Sequence, residues 1–441
     1  MKHRHVQWLY GELPGLVAAG VLPEVGAESL RAHYGPVKSI SAARLAVVLL
    51  SVLGAMLIGS GIILLLAHNW EDLGRPVRAV LSFAPLVAGQ MLVAWTLYRK
   101  QDSVAWREGS GAFLAMGIGA SIALIAQTYH IPGDPEKFLL TWALLGLPIL
   151  YLLRSSMAAA LYFIGVTAWA GEAQQSMGHA IGYWPLMAAA IPAVWMQFRD
   201  GPRRPGTAFV GWALCLSLCV GLAIVLEKVL PGLWTVIYAA MLACFFLAGR
   251  TWYTDTPAQP FTPVGLTGTV ILALVFTFED IWLRVGFNHY RGGSTRYLEL
   301  FGIQDYVLAF GLLAAAVILT VRLVKRRDFA VLPWAASPAL AVVGFAAASI
   351  DGLKAFPPML FNVYLLALGV LVLRQGILDG RLGGANAGMG ILALLFTIRF
   401  FDSNMSILAR GVAFILIGAA FLGANLWFAR RLSAQTTETQ S

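Results

Sequence analysis

Charged side chains are scarce in this chain: Asp, Glu, Lys and Arg make up 12% of its 441 residues, against 59% hydrophobic and a mean hydropathy of +0.74. A soluble globule carries roughly a quarter of its residues as charge, so this composition excludes one. Cysteine is nearly absent as well. Cys215, Cys219 and Cys244 all sit inside apolar runs, which argues against a disulfide framework and against a metal-ligand spacing; they read as small packing residues. The first 43 residues lack the apolar core and small-residue cleavage site of a signal peptide, so the first apolar run is expected to act as the targeting signal. A Gly-rich phosphate cradle, an HExxH helix and a nucleophile elbow are also missing, and no cofactor or metal is expected.

What the chain has in abundance is apolar runs of span length, separated by short breaks that hold most of the charge. The first, about 44 to 67, contains no ionisable group beyond Arg44 across a length that crosses a hydrocarbon core of roughly 30 Å. About fourteen such runs follow one another to 405–428, among them 261–282 and 330–350. The expected fold class is all-α, a polytopic transmembrane helical bundle. An even count returns both termini to one side. Placing that side in the cytoplasm puts about two-thirds of the 31 Lys and Arg on the inner face, including Arg99, Lys100, Arg199, Arg203, Arg204, Arg322, Lys325, Arg326 and Arg327. The reading is therefore N-in and C-in, in a bacterial inner membrane. The net charge of +9 is then explained by anchoring at an anionic leaflet, and no nucleic-acid partner is needed.

Three regions are expected: a cytoplasmic N-terminal helical segment at 1–43, a transmembrane domain at 44–430, and a disordered cytoplasmic tail at 431–441. Within the first, Trp8, Leu9, Leu13, Leu16 and Val17 recur at helical spacing, and Gly20 to Pro23 breaks the pattern. Pro23 followed by Glu24 and Glu28 suits the start of a second helix.

Gly268 to Thr277 reads GTVILALVFT and Gly388 to Thr397 reads GMGILALLFT, seven identities in ten at an offset of 120. Transporters are often built from repeats, and by the span count this one would be parallel. Small residues such as Ala55 and Gly59, Gly117 and Ser121, and Ala419 and Gly423 permit close helix approach. Pro85 with Gln90 suggests a kink with a polar lining, or tight packing.

Ionisable groups near span ends gather on the outer side by this count. His68, Asn69, Glu71, Arg75 and Arg78 follow the first span, and His130, Asp134 and Glu136 follow the third. Glu172 closes the fifth, Glu279 and Asp280 the ninth, Asp351 the eleventh, and Arg399 and Asp402 the thirteenth. Charge at membrane depth is costly and must be paired or wet; headgroup water is the plain explanation near span ends, and His68, Asn69, Glu71, Arg75, Arg78, His130, Asp134, Glu279, Asp280, Arg399 and Asp402 are the candidates for substrate binding or proton relay. Two pairings offer themselves for Arg399: Glu279 across the echoing segments, or Asp402 at i, i+3. His130 with Asp134, on either side of a Pro132-Gly133 turn, is a candidate relay or general base pair. Arg284, His289, Arg291 and Arg296, interleaved with Trp282, Phe287, Tyr290 and Tyr297, are candidates for lipid headgroups or a lipid-linked phosphate, or for an interfacial anchor.

Two stretches carry a resemblance. GIILLLAHNWEDLGRPVRAVL, from Gly61, and AQTYHIPGDPEKFLLTWALLGLPILYLLRS, from Ala126, resemble the bacterial membrane proteins catalogued as domain of unknown function 2157. The N-terminal region with Trp8 and Gly20 looks similar, and TIRFFDSNMSILARGVAFILIGAAFLGANLWFARR is like endings seen in that group. The resemblance implies a polytopic inner-membrane protein and transfers no catalytic residue. The positions it marks here are Asn69, Trp70, Arg75, Arg78, His130, Gly133 and Asp134. Three function classes stay open: a transporter or flippase of a small molecule or lipid, a membrane enzyme with an outward site for a lipid-linked or phosphorylated substrate, and an envelope scaffold or sensor. The partners these imply are membrane lipids, a small-molecule or lipid-linked substrate, and other envelope proteins.

Overall fold

Backbone in hydrocarbon has no water to bond to, so each long apolar run must close its hydrogen bonds on itself as helix. The computed structural model describes residues 2–34, 73–226, 230–254, 256, 258–286, 300–380 and 382–401, with Leu408, Gly411 and Ile415; all regular structure among them is helical. Contacts divide the chain into two units, Met1–Arg78 and Ala79–Ser441.

In the first unit, α1 (Lys2–Ala18) and α2 (Glu24–Tyr34) form the expected pair. Gly20 turns the chain between them at a φ of 71°, a conformation glycine adopts without a Cβ penalty. Leu13 and Ala27 are buried, and the Tyr10 hydroxyl donates to the Arg31 carbonyl at 3.2 Å.

The second unit is a bundle. Its elements are α3 (Arg75–Arg99, begun in the first unit), α4 (Val104–Tyr129), α5 (Pro135–Leu153), α6 (Ser156–Ser176), α7 (Tyr183–Asp200), α8 (Pro205–Val225), α9 (Leu233–Trp252) and α10 (Phe261–Val275). After the short α11 (Glu279–Trp282) come α12 (Leu300–Lys325), α13 (Leu332–Ala335), α14 (Ser337–Ala348), α15 (Phe356–Leu378) and α16 (Leu382–Phe401). Among the described residues nine helical segments are long and apolar enough to cross a membrane: α3, α4, α5, α8, α9, α12, Phe329–Ala348, α15 and α16. This is an all-α membrane-integral protein. The expected runs 44–67 and 405–428 lie outside the described residues, apart from Leu408, Gly411 and Ile415. Every other expected run carries helix.

Two of those runs are not single helices. The 261–282 run breaks after 15 residues, about 22 Å of rise, short of a full crossing. The Thr277 hydroxyl donates to the Leu274 carbonyl at 2.6 Å, and the Trp282 indole turns back to donate to the Phe276 carbonyl at 2.9 Å. Both acceptors are carbonyls left over at the helix C-terminus. The 330–350 run begins as a 3-10 turn and passes through two helices, each with a proline in its first turn, Pro333 and Pro338.

α9 is the hub and the most buried of these nine segments, whereas α12 is the least buried. Connections are tight. Arg154, at a φ of 49°, ends α5, and the Ser155 hydroxyl at once caps α6 by accepting from the Ala158 N–H at 3.2 Å. The two echoing segments are the second helices of two hairpins, α9–α10 and α15–α16. Gly268 packs against Leu242 of α9 and its counterpart Gly388 against Leu373 of α15, neither leaving room for a Cβ. At Pro85 the helices α3 and α4 touch through Gly117, and the Ser121 hydroxyl accepts from the Leu86 N–H at 3.3 Å. Gln90 is exposed on α3, so the proline serves packing rather than a polar lining.

Candidate functional site

One end of the bundle collects the start of α4, the α5–α6 turn, the end of α7 and the start of α8. The organising side chain is Glu108. One carboxylate oxygen accepts from the Ser156 N–H at 2.9 Å, and the other accepts from the Met157 N–H and the Ser155 hydroxyl, both at 2.8 Å. A carboxylate from α4 thus satisfies amides that α6 cannot bond internally, at the positive end of that helix dipole. Beside it Arg154 pairs with Asp200 across α5 and α7.

These groups border a cavity of ≈ 350 Å³. Arg107, Arg204, Gln197 and Ser156 also line it, and among the described residues none of their side chains has a hydrogen-bond or ionic partner. Gln197 and Ser156 are only 8% and 6% exposed, and the Arg107 Nε is buried and unbonded. A buried donor such as the Arg107 Nε, unbonded among the described residues, costs free energy unless water or a ligand meets it. The α8 N-terminus faces the same space. Pro205 occupies its first position, and Gly206 lies against Ser156 with Glu108 Oε1 3.7 Å from where a Cβ would stand.

Deeper in the bundle a second polar layer sits between α6, α7 and α8. The Thr167 and Ser217 hydroxyls lie 2.7 Å apart, and the Tyr183 hydroxyl donates to the Ser217 carbonyl at 2.9 Å. Ser217 is ten residues beyond Thr207 on α8, about 15 Å along the helix. At the far end the Trp184 indole donates to the Gln304 side-chain oxygen at 3.2 Å, and the Gln304 amide donates to the Val225 carbonyl at 2.7 Å. A separate apolar groove of ≈ 180 Å³ runs along the opposite side of α7, lined by Ile191, Val194, Trp195 and Phe198 with Tyr253 and Phe261.

The residues singled out in the sequence are distributed otherwise. His68, Asn69, Glu71, His289, Arg291, Arg296 and Asp402 lie outside the described residues. Arg75 and Arg78 occupy the first turn of α3. His130 is exposed, ends α4 at a φ of 54°, and its imidazole has no partner among the described residues. Asp134 caps α5, accepting from the Lys137 N–H at 3.1 Å and pairing with its ammonium at 2.9 Å. Those bonds hold the Asp134 carboxyl below its ordinary pKa, so it is a weakened base, and it makes no contact with His130. Glu136 accepts from the Ser176 hydroxyl, tying the start of α5 to the end of α6.

Arg399 does reach the echoing segment, at Thr277 rather than at Glu279. It donates to the Thr277 carbonyl at 3.1 Å and to its hydroxyl at 2.9 Å, and its guanidinium lies 4.9 Å from the centre of the Phe278 ring. A cation on the carbonyl end of α10 is favoured by the helix dipole. Glu279, Asp280 and Arg284 are exposed, and Glu279 has no ionic partner among the described residues. The cavity groups Arg107, Glu108, Arg154, Gln197 and Asp200 were not singled out in the sequence. A faint signal existed in Glu108, a carboxylate set just inside an apolar run, and in the Ser155-Ser156 pair opening another.

Residues 14–159 match the family model described as Predicted membrane protein (DUF2157). Gly61–Leu81 and Ala126–Ser155, which carry the resemblance noted above, fall inside that match; the C-terminal stretch falls outside it. No curated protein and no solved structure matches the chain.

Proposed function

We propose that the protein is a transporter or flippase of a small molecule or lipid, open at the arginine-lined end of α4–α8 and closed at the other. One observation carries the reading. A cavity bordered by charged and amide side chains opens at one end of α4–α8, a layer of hydroxyls lies about 15 Å further along α8, and the Trp184–Gln304 bond lies beyond it. Hydroxyls between membrane helices bond them together, and polar groups in a bundle interior also mark substrate paths. The positive-inside bias puts the arginine end in the cytoplasm, so the cavity would be an inward-facing vestibule of a bacterial inner-membrane protein.

The test is water access. With Cys215, Cys219 and Cys244 replaced by Ala, single thiols are introduced as Gln197→Cys and Ser217→Cys and exposed to a charged thiosulfonate reagent in sealed vesicles of each orientation. Reaction of both from the cytoplasmic side alone, faster at 197, is expected. A thiol at 217 that reacts from neither side would remove the transport reading, and reaction at 197 from the periplasmic side alone would invert the topology.

A further inference from the structure

We propose that the cavity between α4, α6, α7 and α8 is a binding site for a phosphate-bearing anion, gripped by Arg107, Arg204 and the Gln197 amide. As a substrate class this rests on the transport reading; as a site it stands on its own geometry.

Both carboxylates that border the cavity are already committed. Glu108 spends both oxygens on the α6 amides and Ser155, and Asp200 is paired with Arg154. What remains without a protein partner among the described residues is the Arg107 and Arg204 guanidinium groups, the Gln197 amide and the Ser156 hydroxyl. Three guanidinium groups stand against two carboxylates, so the cavity is cationic before anything enters. Guanidinium offers only donors, in a planar fork that matches an oxyanion, and amide and hydroxyl can donate beside it. The α8 N-terminus adds the positive end of a helix dipole, and Arg204 at its cap position gives it no side-chain bond.

The donor count selects the anion. A carboxylate presents two oxygens in one plane, whereas a phosphomonoester presents three terminal oxygens and a phosphodiester two terminal and two ester oxygens around a tetrahedral phosphorus, so either accepts from two separate guanidinium groups at once. The ≈ 350 Å³ volume also exceeds what a bare phosphate fills and sits at the low end of the roughly 300–1,000 Å³ usual for ligand pockets. A phosphorylated headgroup of glycerol size suits it. Such a group is carried equally by a soluble phosphomonoester and by an anionic phospholipid whose chains lie in the bilayer beside the bundle.

Full-length protein is reconstituted in phosphatidylcholine nanodiscs and titrated with radiolabelled glycerol 3-phosphate. In parallel, protein from mixed phosphatidylglycerol and phosphatidylcholine membranes is analysed for retained lipid by native mass spectrometry. Saturable binding of the soluble ester, or selective retention of phosphatidylglycerol, is expected in the wild type, and the arm that responds identifies the source. Arg107→Gln and Arg204→Gln should each weaken the responding arm about 10- to 100-fold, with Arg107→Lys and Arg204→Lys intermediate. Unchanged thermal unfolding certifies that each variant is folded. Absence of binding in both arms, or binding indifferent to all four substitutions, overturns the proposal. Because this readout needs no transport, a site that binds while the thiol at 217 stays unreactive would leave the anion site standing and remove only the transport reading.

Discussion

At one end of the α4–α8 region strong donors border open space, whereas at the other end of the bundle Gln304, Arg399 and Trp282 bond to protein. Arg107, Arg204 and Gln197 lack side-chain partners among the described residues where the cavity lies. Gln304 bridges Trp184 and Val225, Arg399 holds the end of α10, and the Trp282 indole closes on Phe276. The difference teaches that charge near a span end is not by itself a site. What separates stitching from binding is whether the group's hydrogen-bonding capacity is already spent.

The comparison breaks hardest at Glu108, whose two carboxylate oxygens are both spent on protein. Glu108→Ala removes three charge-assisted bonds and leaves two helix amides and Ser155 unmet, so a loss of roughly 3 kcal/mol is expected. Thermal unfolding in detergent should register it as the largest drop of the set. Glu108→Gln, which keeps the acceptor oxygen, should fall between. If Glu108→Ala unfolded like the wild type, the carboxylate would be a ligand group and not a cap.

Next comes Arg399. Its two bonds to Thr277 and its place over Phe278 predict a loss of about 1–2 kcal/mol for Arg399→Gln. Glu279→Gln, with no ionic partner among the described residues, should be close to neutral by the same measurement. Equal losses in the two would revive an ion pair between them.

Much of the fold was legible because length and composition alone decide it. Runs of about twenty apolar residues have few alternatives to helix in a bilayer, and Gly20 and Pro23 mark a break that local chemistry enforces. The end of α10 was not legible, since GTVILALVFTFEDIW stays apolar through the point where the Thr277 hydroxyl and the Trp282 indole turn back onto the Leu274 and Phe276 carbonyls. The cavity was hidden for a related reason. Arg107, Arg154 and Arg204 come from turns some fifty residues apart, and each alone reads as an anchor at an anionic leaflet. Only the packing of α6 against both α4 and α8 gathers them around Glu108.

A smaller effect is expected at Asp134, and it carries a pH signature. Its carboxyl sits below the ordinary value of 3.8 in the folded protein because the Lys137 ammonium and N–H bond to it. A lowered folded pKa contributes stability that is whole above the unfolded pKa and is lost as pH falls through the folded one. Acid unfolding of the wild type should therefore steepen below about pH 4. Asp134→Ala should flatten that limb and lower stability at neutral pH modestly, as lost N-caps do. His130→Ala should leave the acid limb unchanged, because the two side chains do not meet; a shared change in the limb would restore the relay pair.

The smallest expected effect is at Arg204, and it separates the two ends most cleanly. A side chain with no partner among the described residues contributes little to the fold, so Arg204→Gln should change stability by no more than about 0.5 kcal/mol. Self-repulsion inside a cavity with a net positive charge could even make the variant slightly more stable, which is the sign expected when a group is kept for binding rather than for folding. The informative quantity is therefore the ratio between the two variants. Arg399→Gln should cost stability, while Arg204→Gln should cost only affinity for the phosphate probe. A destabilised Arg204→Gln would mean that its guanidinium is held by protein, and the cavity would then be one more stitched helix end.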